Sequence, residues 1–297
     1  MNSPTFQLTV SLPHRLTIYG LVIGGHFPLT LLTGRTLLLD RNIVVLLKSL
    51  ARADRSDVDA HRYWLSHLND HSIKINVGLC ALEGRFGRAT SCSEFFQEHD
   101  DVCAALSALV SQAEVLSYAP DIQKDIYAVQ EALQERYHAE CAFLMETAPL
   151  IAERHRDNRL PEIARQVIET AGRFRLKGHS LVVLACLACL YEAKDGARSS
   201  SARRVLKPKK TYSAAQAHNA ISDLRSLELL ASTSAMGQAP VALCTADRGL
   251  AAFWCELGVR NPEWTSAHSF RFDFHPDHRL FPRVSAAEWS QLMKDLE

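Results

Sequence analysis

The chain has 297 residues, 47% of them hydrophobic, and its 33 Lys and Arg balance 33 Asp and Glu. That length supports one large domain or a domain carrying an insert, with a sizeable core. Zero formal net charge excludes a globally basic nucleic-acid binder, so any such contact has to come from local patches.

The eight cysteines fall mostly inside apolar patterns. That is the distribution of reduced, buried thiols in a cytoplasmic protein rather than a disulfide framework. Cys186 and Cys189 form a CxxC, but they lie in the apolar run Leu181–Tyr191 with no second ligand pair nearby, which points to core packing. That run falls short of the ~20 residues that span a bilayer. The N-terminus lacks a basic segment followed by an apolar one, so the chain reads as cytoplasmic, with no membrane partner.

In chain order, β-like runs come first: Phe6–Val10, Leu16–Ile23, Leu29–Leu32 and Thr36–Leu39, divided by turn residues such as Pro13 and Gly24-Gly25. Helical patterns follow over Asn42–Leu50, Asp57–Leu68 and Ile73–Glu83. From Ser93 to Tyr191 the pattern is helical throughout, in segments near 93–117, 121–147, 161–174 and 179–193 broken at Pro120, Pro149, Pro161 and Gly178. Residues 196–210, rich in Ser, Arg and Lys, read as an exposed mobile loop. Ser213 is placed to cap a helix running to about Ala231. A strand over 241–245, a helix over Gly249–Leu257, a strand near Phe270–Phe274 and a helix over Ala286–Leu296 close the chain. The pattern predicts an α/β fold, with an α/β domain built from residues 1–90 and 212–297, a helical insert over 91–195 and a basic loop over 196–211.

Two apolar runs end abruptly in an aspartate: Thr36-Leu-Leu-Leu-Asp40-Arg-Asn42 and Val241-Ala-Leu-Cys-Thr245-Ala-Asp247-Arg-Gly-Leu250. Each is followed by a helical pattern. In an open α/β sheet, active groups gather beyond the carboxyl ends of the strands. Glu83 closes an apolar stretch, where a carboxylate without a partner is unusual. Asp223 follows Asn219 by four residues, on the same face of a helix. Such an all-oxygen donor set suits Mg²⁺ or Mn²⁺, which would relieve the repulsion among the acids and polarise a phosphodiester. Simpler roles exist beside this one: Asp40, Asn42 and Asp247 would serve as helix caps, and Glu83 or Asp223 as solvated helix residues.

The order Asp40, Glu83, Asp223, Asp247 resembles that of the PIN-domain nucleases. Leu39-Asp40-Arg41-Asn42 and Thr245-Ala-Asp247-Arg-Gly-Leu250 stand where that family has its first and last acidic motifs. The resemblance implies a PIN-like, mostly parallel sheet flanked by helices, here with a large all-α insert between the second and third acids. It also implies metal-dependent cleavage of RNA, single-stranded or structured, by a toxin or defence effector. Asp40, Glu83, Asp223 and Asp247 would then be metal ligands and catalytic residues, with Asn42, Asn219 and Thr245 supporting them.

Arg203, Arg204, Lys207, Lys209 and Lys210, with Arg85 and Arg88 beside Glu83, would contact phosphates. The helical middle would gate substrate, pair two copies of the chain or dock an inhibitor protein. The competing reading is a catalytically inactive scaffold that uses those helices to hold a partner. No GxxxxGK[ST] motif is present, which excludes a P-loop nucleotide hydrolase.

Overall fold

The computed structural model describes residues 18–28, 32, 34–50, 65–178, 180–194, 199–237, 239–266, 269–285, 288, 291–292 and 294. The expected strand at Phe6–Val10 lies outside these residues, as do most of the expected segments at Leu29–Leu32, Asp57–Leu68 and Ala286–Leu296.

The fold is mixed α/β. Strands β1 (Tyr19–Val22), β2 (Gly25–Pro28), β3 (Thr36–Leu39), β4 (Lys74–Asn76), β5 (Glu114–Val115) and β6 (Val241–Thr245) form one sheet in the order β2-β1-β6-β3-β4-β5. The run β6, β3, β4, β5 is parallel, while β1 lies antiparallel to both β6 and β2.

The sheet is buried on both faces, as a parallel sheet flanked by helices has to be. Alternation along the strands divides the side chains between two cores. Leu38 and Leu243 join one, while Leu37, Leu39, Ala242 and Cys244 join the other. The second core is completed by α1 (Arg41–Leu50) and α3 (Cys92–Ser107), through Ile43, Val44, Leu47, Val102 and Leu106. The first is the larger. It takes in α5 (Gln134–Ile151), α6 (Leu160–Arg173), α7 (Leu181–Leu190), α8 (Ser201–Leu206), α9 (Ala214–Ala235) and α10 (Arg248–Leu257). Helices of the 91–195 stretch thus share a continuous apolar core with the sheet.

Several sequence expectations are corrected. Ile73–Glu83 is not one helix: β4 occupies Lys74–Asn76, and only Gly78–Glu83 (α2) is helical. The apolar spacing there serves a strand and a helix in turn, with Asn76 Oδ1 accepting the Gly78 N–H at 2.8 Å to start the helix. The 93–117 helix stops at Ser107, and Glu114–Val115 pairs with β4 as an edge strand. The 196–210 stretch is not simply a loop, since α8 lies within it, capped by Ser200 accepting from Arg203 N–H. Ser213 does cap α9, in a reciprocal box with Gln216.

A hairpin of β7 (Arg260–Ser266) and β8 (Ser269–Asp273) stands apart from the main sheet. Its first strand was missed because Arg260-Asn-Pro-Glu-Trp264 carries little apolar alternation. Cys186 and Cys189 are fully buried in α7, as core residues would be. Among the described residues no helix is long and apolar enough to cross a membrane.

Candidate functional site

β3 and β6 run side by side and in parallel, with Leu39 opposite Cys244. Asp40 extends this ladder, its N–H donating to Cys244 O at 3.0 Å. The two strand-end aspartates therefore emerge at the same sheet edge, 207 positions apart in sequence number but one strand apart in space.

Thr245 joins them. Its hydroxyl donates to Asp40 Oδ2 at 2.6 Å and accepts the Asp247 N–H at 3.0 Å. Both aspartates are also helix caps. Asp40 Oδ1 accepts the Asn42 N–H at 2.9 Å, and Asp247 Oδ1 accepts from Gly249 and Leu250 at 2.6 and 3.0 Å. Capping occupies one oxygen of each side chain and fixes its rotamer. Asp247 Oδ2 faces Lys207 Nζ at 3.8 Å.

Glu83 ends α2, where Gly84 turns the chain with φ of 70°. A side chain at position 84 would run into Thr90 Oγ1, at 2.2 Å from an added Cβ. The Glu83 carboxylate receives the Arg41 backbone N–H and lies in the field of Asp40. Its main-chain carbonyl accepts from His218 Nε2 at 3.1 Å, and His218 Nδ1 lies 2.6 Å from the Tyr137 hydroxyl. With Nε2 donating to a carbonyl, Nδ1 is left to accept from the phenol. Burial lowers the His218 pKa, favouring this neutral ring. Tyr137 and His218 thus tie α2 to α5 and α9, a positioning role that sequence reasoning did not find. Nothing in the spacing of those two residues signals it.

Asp223, on α9, completes the group. Burial, and then the charges of Asp40, Asp247 and Glu83, push its carboxyl well above the ordinary range, while Lys207 acts in the opposite sense. Burial likewise raises Asp40, against hydrogen bonds from Thr245 and Asn42. Burial followed by repulsion from Asp40 brings Glu83 to about 7. The four acids named from sequence therefore occupy one electrostatic neighbourhood at the carboxyl end of the parallel strands. Four carboxylates cannot all ionise together without cations. The donor set consists of oxygen alone, which fits a hard divalent ion such as Mg²⁺ or Mn²⁺. Among the described residues, no three His, Cys, Asp or Glu side chains already stand at metal-ligand spacing. Asn42 and Asn219 are exposed at the margin of the group, Asn219 one turn before Asp223.

The basic residues divide by environment. Arg203 is turned inward: it pairs with buried Glu192 at 2.8 Å and donates to the carbonyls of Ala152 and Cys189. Arg204 is held on Ser199 O at 3.1 and 2.9 Å. Lys210 pairs with Glu153 at 2.6 Å, and Lys209 is exposed. Arg85 bonds Glu98 and Asp101, and Arg88 bonds Glu94, so α3 supplies counter-charges to both. Glu98 is buried.

Arg204, Lys207 and Arg248 line an open depression of about 630 Å³ next to Asp247. Arg248 was not singled out in the sequence, where it reads as an ordinary first-turn residue. Gly249 permits this arrangement, because an added Cβ there would stand 2.5 Å from Arg204 Cβ. The absence of a side chain lets α8 lie against the start of α10.

Arg203→Ala is expected to act on stability and not on RNA capture. It removes one of two arginines on buried Glu192 and leaves Arg154 at 3.0 Å, so the expected loss is below the roughly 3–5 kcal/mol for breaking a buried pair outright. Chemical denaturation of the variant checks this. An unchanged unfolding free energy together with weaker RNA binding would return Arg203 to the substrate path.

Comparison of the chain with protein-family models, with curated proteins and with solved structures gives no match.

Proposed function

We propose that this chain is an enlarged PIN-like, metal-dependent endoribonuclease. The observation that carries the reading is the gathering of Asp40, Glu83, Asp223 and Asp247, from four separate elements, at the carboxyl edge of β3 and β6. Carboxylates placed so that they raise one another's proton affinity cost stability, and a bound cation gives that arrangement a use.

Asp40 and Asp247 would hold the metal most directly: each gives one oxygen to a cap, the other oxygen of Asp40 is oriented by the Thr245 hydroxyl, and the other oxygen of Asp247 lies beside Lys207. Glu83 and Asp223 would complete the shell. Bound there, Mg²⁺ or Mn²⁺ would supply Lewis-acid polarisation of a phosphodiester and lower the pKa of water. Lys207 and Arg248, beside Asp247, would seat the phosphates of the strand. They would set its register against the acids, and they carry no base-specific information. No side-chain nucleophile is required. A role as a toxin or defence effector, restrained by a protein that binds the helical middle, belongs to the same proposal.

Purified protein is expected to cut single-stranded RNA in Mg²⁺ or Mn²⁺ and to stop in EDTA. Under conditions without cutting, Lys207→Ala combined with Arg248→Ala is expected to reduce the salt slope of RNA binding by about one unit per lost phosphate contact. Absence of RNA cleavage across divalent ions and RNA lengths would favour the inactive-scaffold reading.

A further inference from the structure

The helix that delivers Glu83 also forms the wall of a second, different cavity. It encloses about 300 Å³, and Glu83 and His218 belong to its lining. Leu82, Val129, Leu133, Leu229 and Met236 supply most of the remaining surface, from α2, α4 (Pro120–Ala132), the α4–α5 junction and α9. The β7–β8 hairpin contributes Trp264 and Phe270, whose ring centroids lie 5.6 Å apart. Val129, Met236 and Trp264 are 57%, 53% and 38% exposed. Such apolar residues gathered at the mouth of a cavity mark a binding site rather than ordinary surface.

The chamber is not apolar throughout. Arg225, Glu228, Gln130 and Ser222 reach its wall. Arg225 also stacks on Tyr137, 4.7 Å from the ring centroid. Arg225 and Glu228 are already paired, with Leu133 O and Arg136, but a wholly apolar occupant, such as a lipid chain or a leucine-rich segment, would strip water from Gln130 and Ser222 and offer no hydrogen bonds in return. A flat molecule with apolar faces and polar edges meets both demands. Its faces would lie against Trp264, Phe270 and the aliphatic walls, and its edge would face Gln130 and Ser222.

Glu83 belongs both to the lining of the chamber and to the acid group, so an occupant of the chamber would lie next to a phosphate held at the acids. We propose that the chamber receives one unstacked nucleobase of the RNA strand, beside the phosphate held at the acids. This rests on the nuclease reading for the orientation of the strand. It goes beyond that reading by assigning base capture to residues outside the acid cluster and the cationic depression. Proteins that bind single strands stack splayed bases on aromatic side chains in this way.

The test is equilibrium binding of two pentanucleotide RNAs, one intact and one abasic at its central position, without divalent metal so that no strand is cut. Wild-type protein is expected to bind the abasic strand roughly 5- to 150-fold more weakly, the range for loss of one base–aromatic stack. Val129→Trp and Met236→Trp fill the chamber from exposed rim positions, and each is expected to remove the difference between the two strands. Circular dichroism confirms that each variant is folded before it is used. Equal binding of the two strands by wild-type protein, or a full difference retained in both filled variants, overturns the proposal. These outcomes are independent of catalysis. Base-dependent binding without cleavage in Mn²⁺ would leave the chamber standing and remove the nuclease reading. Cleavage without base-dependent binding would do the reverse.

Discussion

Asp247→Asn and Asp247→Ser are expected to abolish metal-dependent RNA cleavage while leaving the fold intact. The proposal gives Asp247 two separable duties: one oxygen caps α10 through Gly249 and Leu250, and the other, beside Lys207, would hold the metal. Asparagine and serine cap helices about as well as aspartate, so both variants keep the first duty. Neither carries the charge that the second requires. Asp40→Asn makes the same separation at the neighbouring strand, because an amide still accepts the Asn42 N–H and can donate to Thr245. Loss on the order of 10²–10³-fold or more is the scale for removing one preorganised charge-stabilising group. Cleavage assays in Mn²⁺, run beside thermal melts, read both duties at once. Near wild-type cleavage by Asp247→Ser would reduce Asp247 to a cap and end the metal proposal there.

That separation also shows what the sequence contained. A strand ending in aspartate before a helix signals a cap and a strand-end ligand equally well. In the structure Asp40 and Asp247 are both caps, each giving one oxygen to the start of a helix, and the ligand role belongs to the proposal. Two short apolar runs with the same ending pointed to one sheet edge, and the structure adds that these strands, β3 and β6, pair directly and in parallel. Glu83 and Asp223 were legible only as acids in unusual places. Their position beside Asp40 depends on α2 and α9 packing together, and contacts such as His218 with the Glu83 carbonyl have no local sequence signature.

The less legible parts share a physical cause. β4 and β5 contain three and two residues, too few to establish a period of two against helical neighbours. The basic stretch 196–210 reads as one solvated run. Its residues nevertheless divide according to partners supplied by distant elements: Glu192 takes Arg203, Glu153 takes Lys210, and Lys207 is left beside Asp247. Charge is visible in sequence, but neutralisation depends on the tertiary fold. The chamber was hidden for the same reason, since its walls come from α2, α4, α5, α9 and the hairpin, and the hairpin begins with a strand of weak pattern.

The acid cluster should also leave a mark on stability. In the metal-free protein, Asp223→Asn is expected to raise the melting temperature at pH 8 and to flatten the decline of stability with pH. Asp40, Glu83 and Asp223 all hold protons more tightly in the folded chain than when ordinarily solvated, chiefly through burial. Between the ordinary carboxylate range and the folded values, the native state therefore binds more protons than the unfolded state, and stability falls as pH rises. The contribution is fully present below the unfolded pKa values and is lost as pH passes through the folded ones, which for Glu83 lies at about 7. For half-buried Glu83 the difference is on the order of 2 kcal/mol once solvent screening is allowed for. At roughly 2–4 °C per kcal/mol in a protein of this size, that is several degrees. Asparagine at 223 removes one of the repelling charges, so the remaining acids ionise at lower cost. Mn²⁺ supplies the missing counter-charge and should raise the wild-type melting temperature more at pH 8 than at pH 5.5, with a smaller gain in Asp223→Asn. Melts at pH 5.5, 7 and 8, each with Mn²⁺ or EDTA, measure all of these effects. Identical pH slopes for wild type and Asp223→Asn would mean that Asp223 does not repel its neighbours, and the cluster would lose its fourth member.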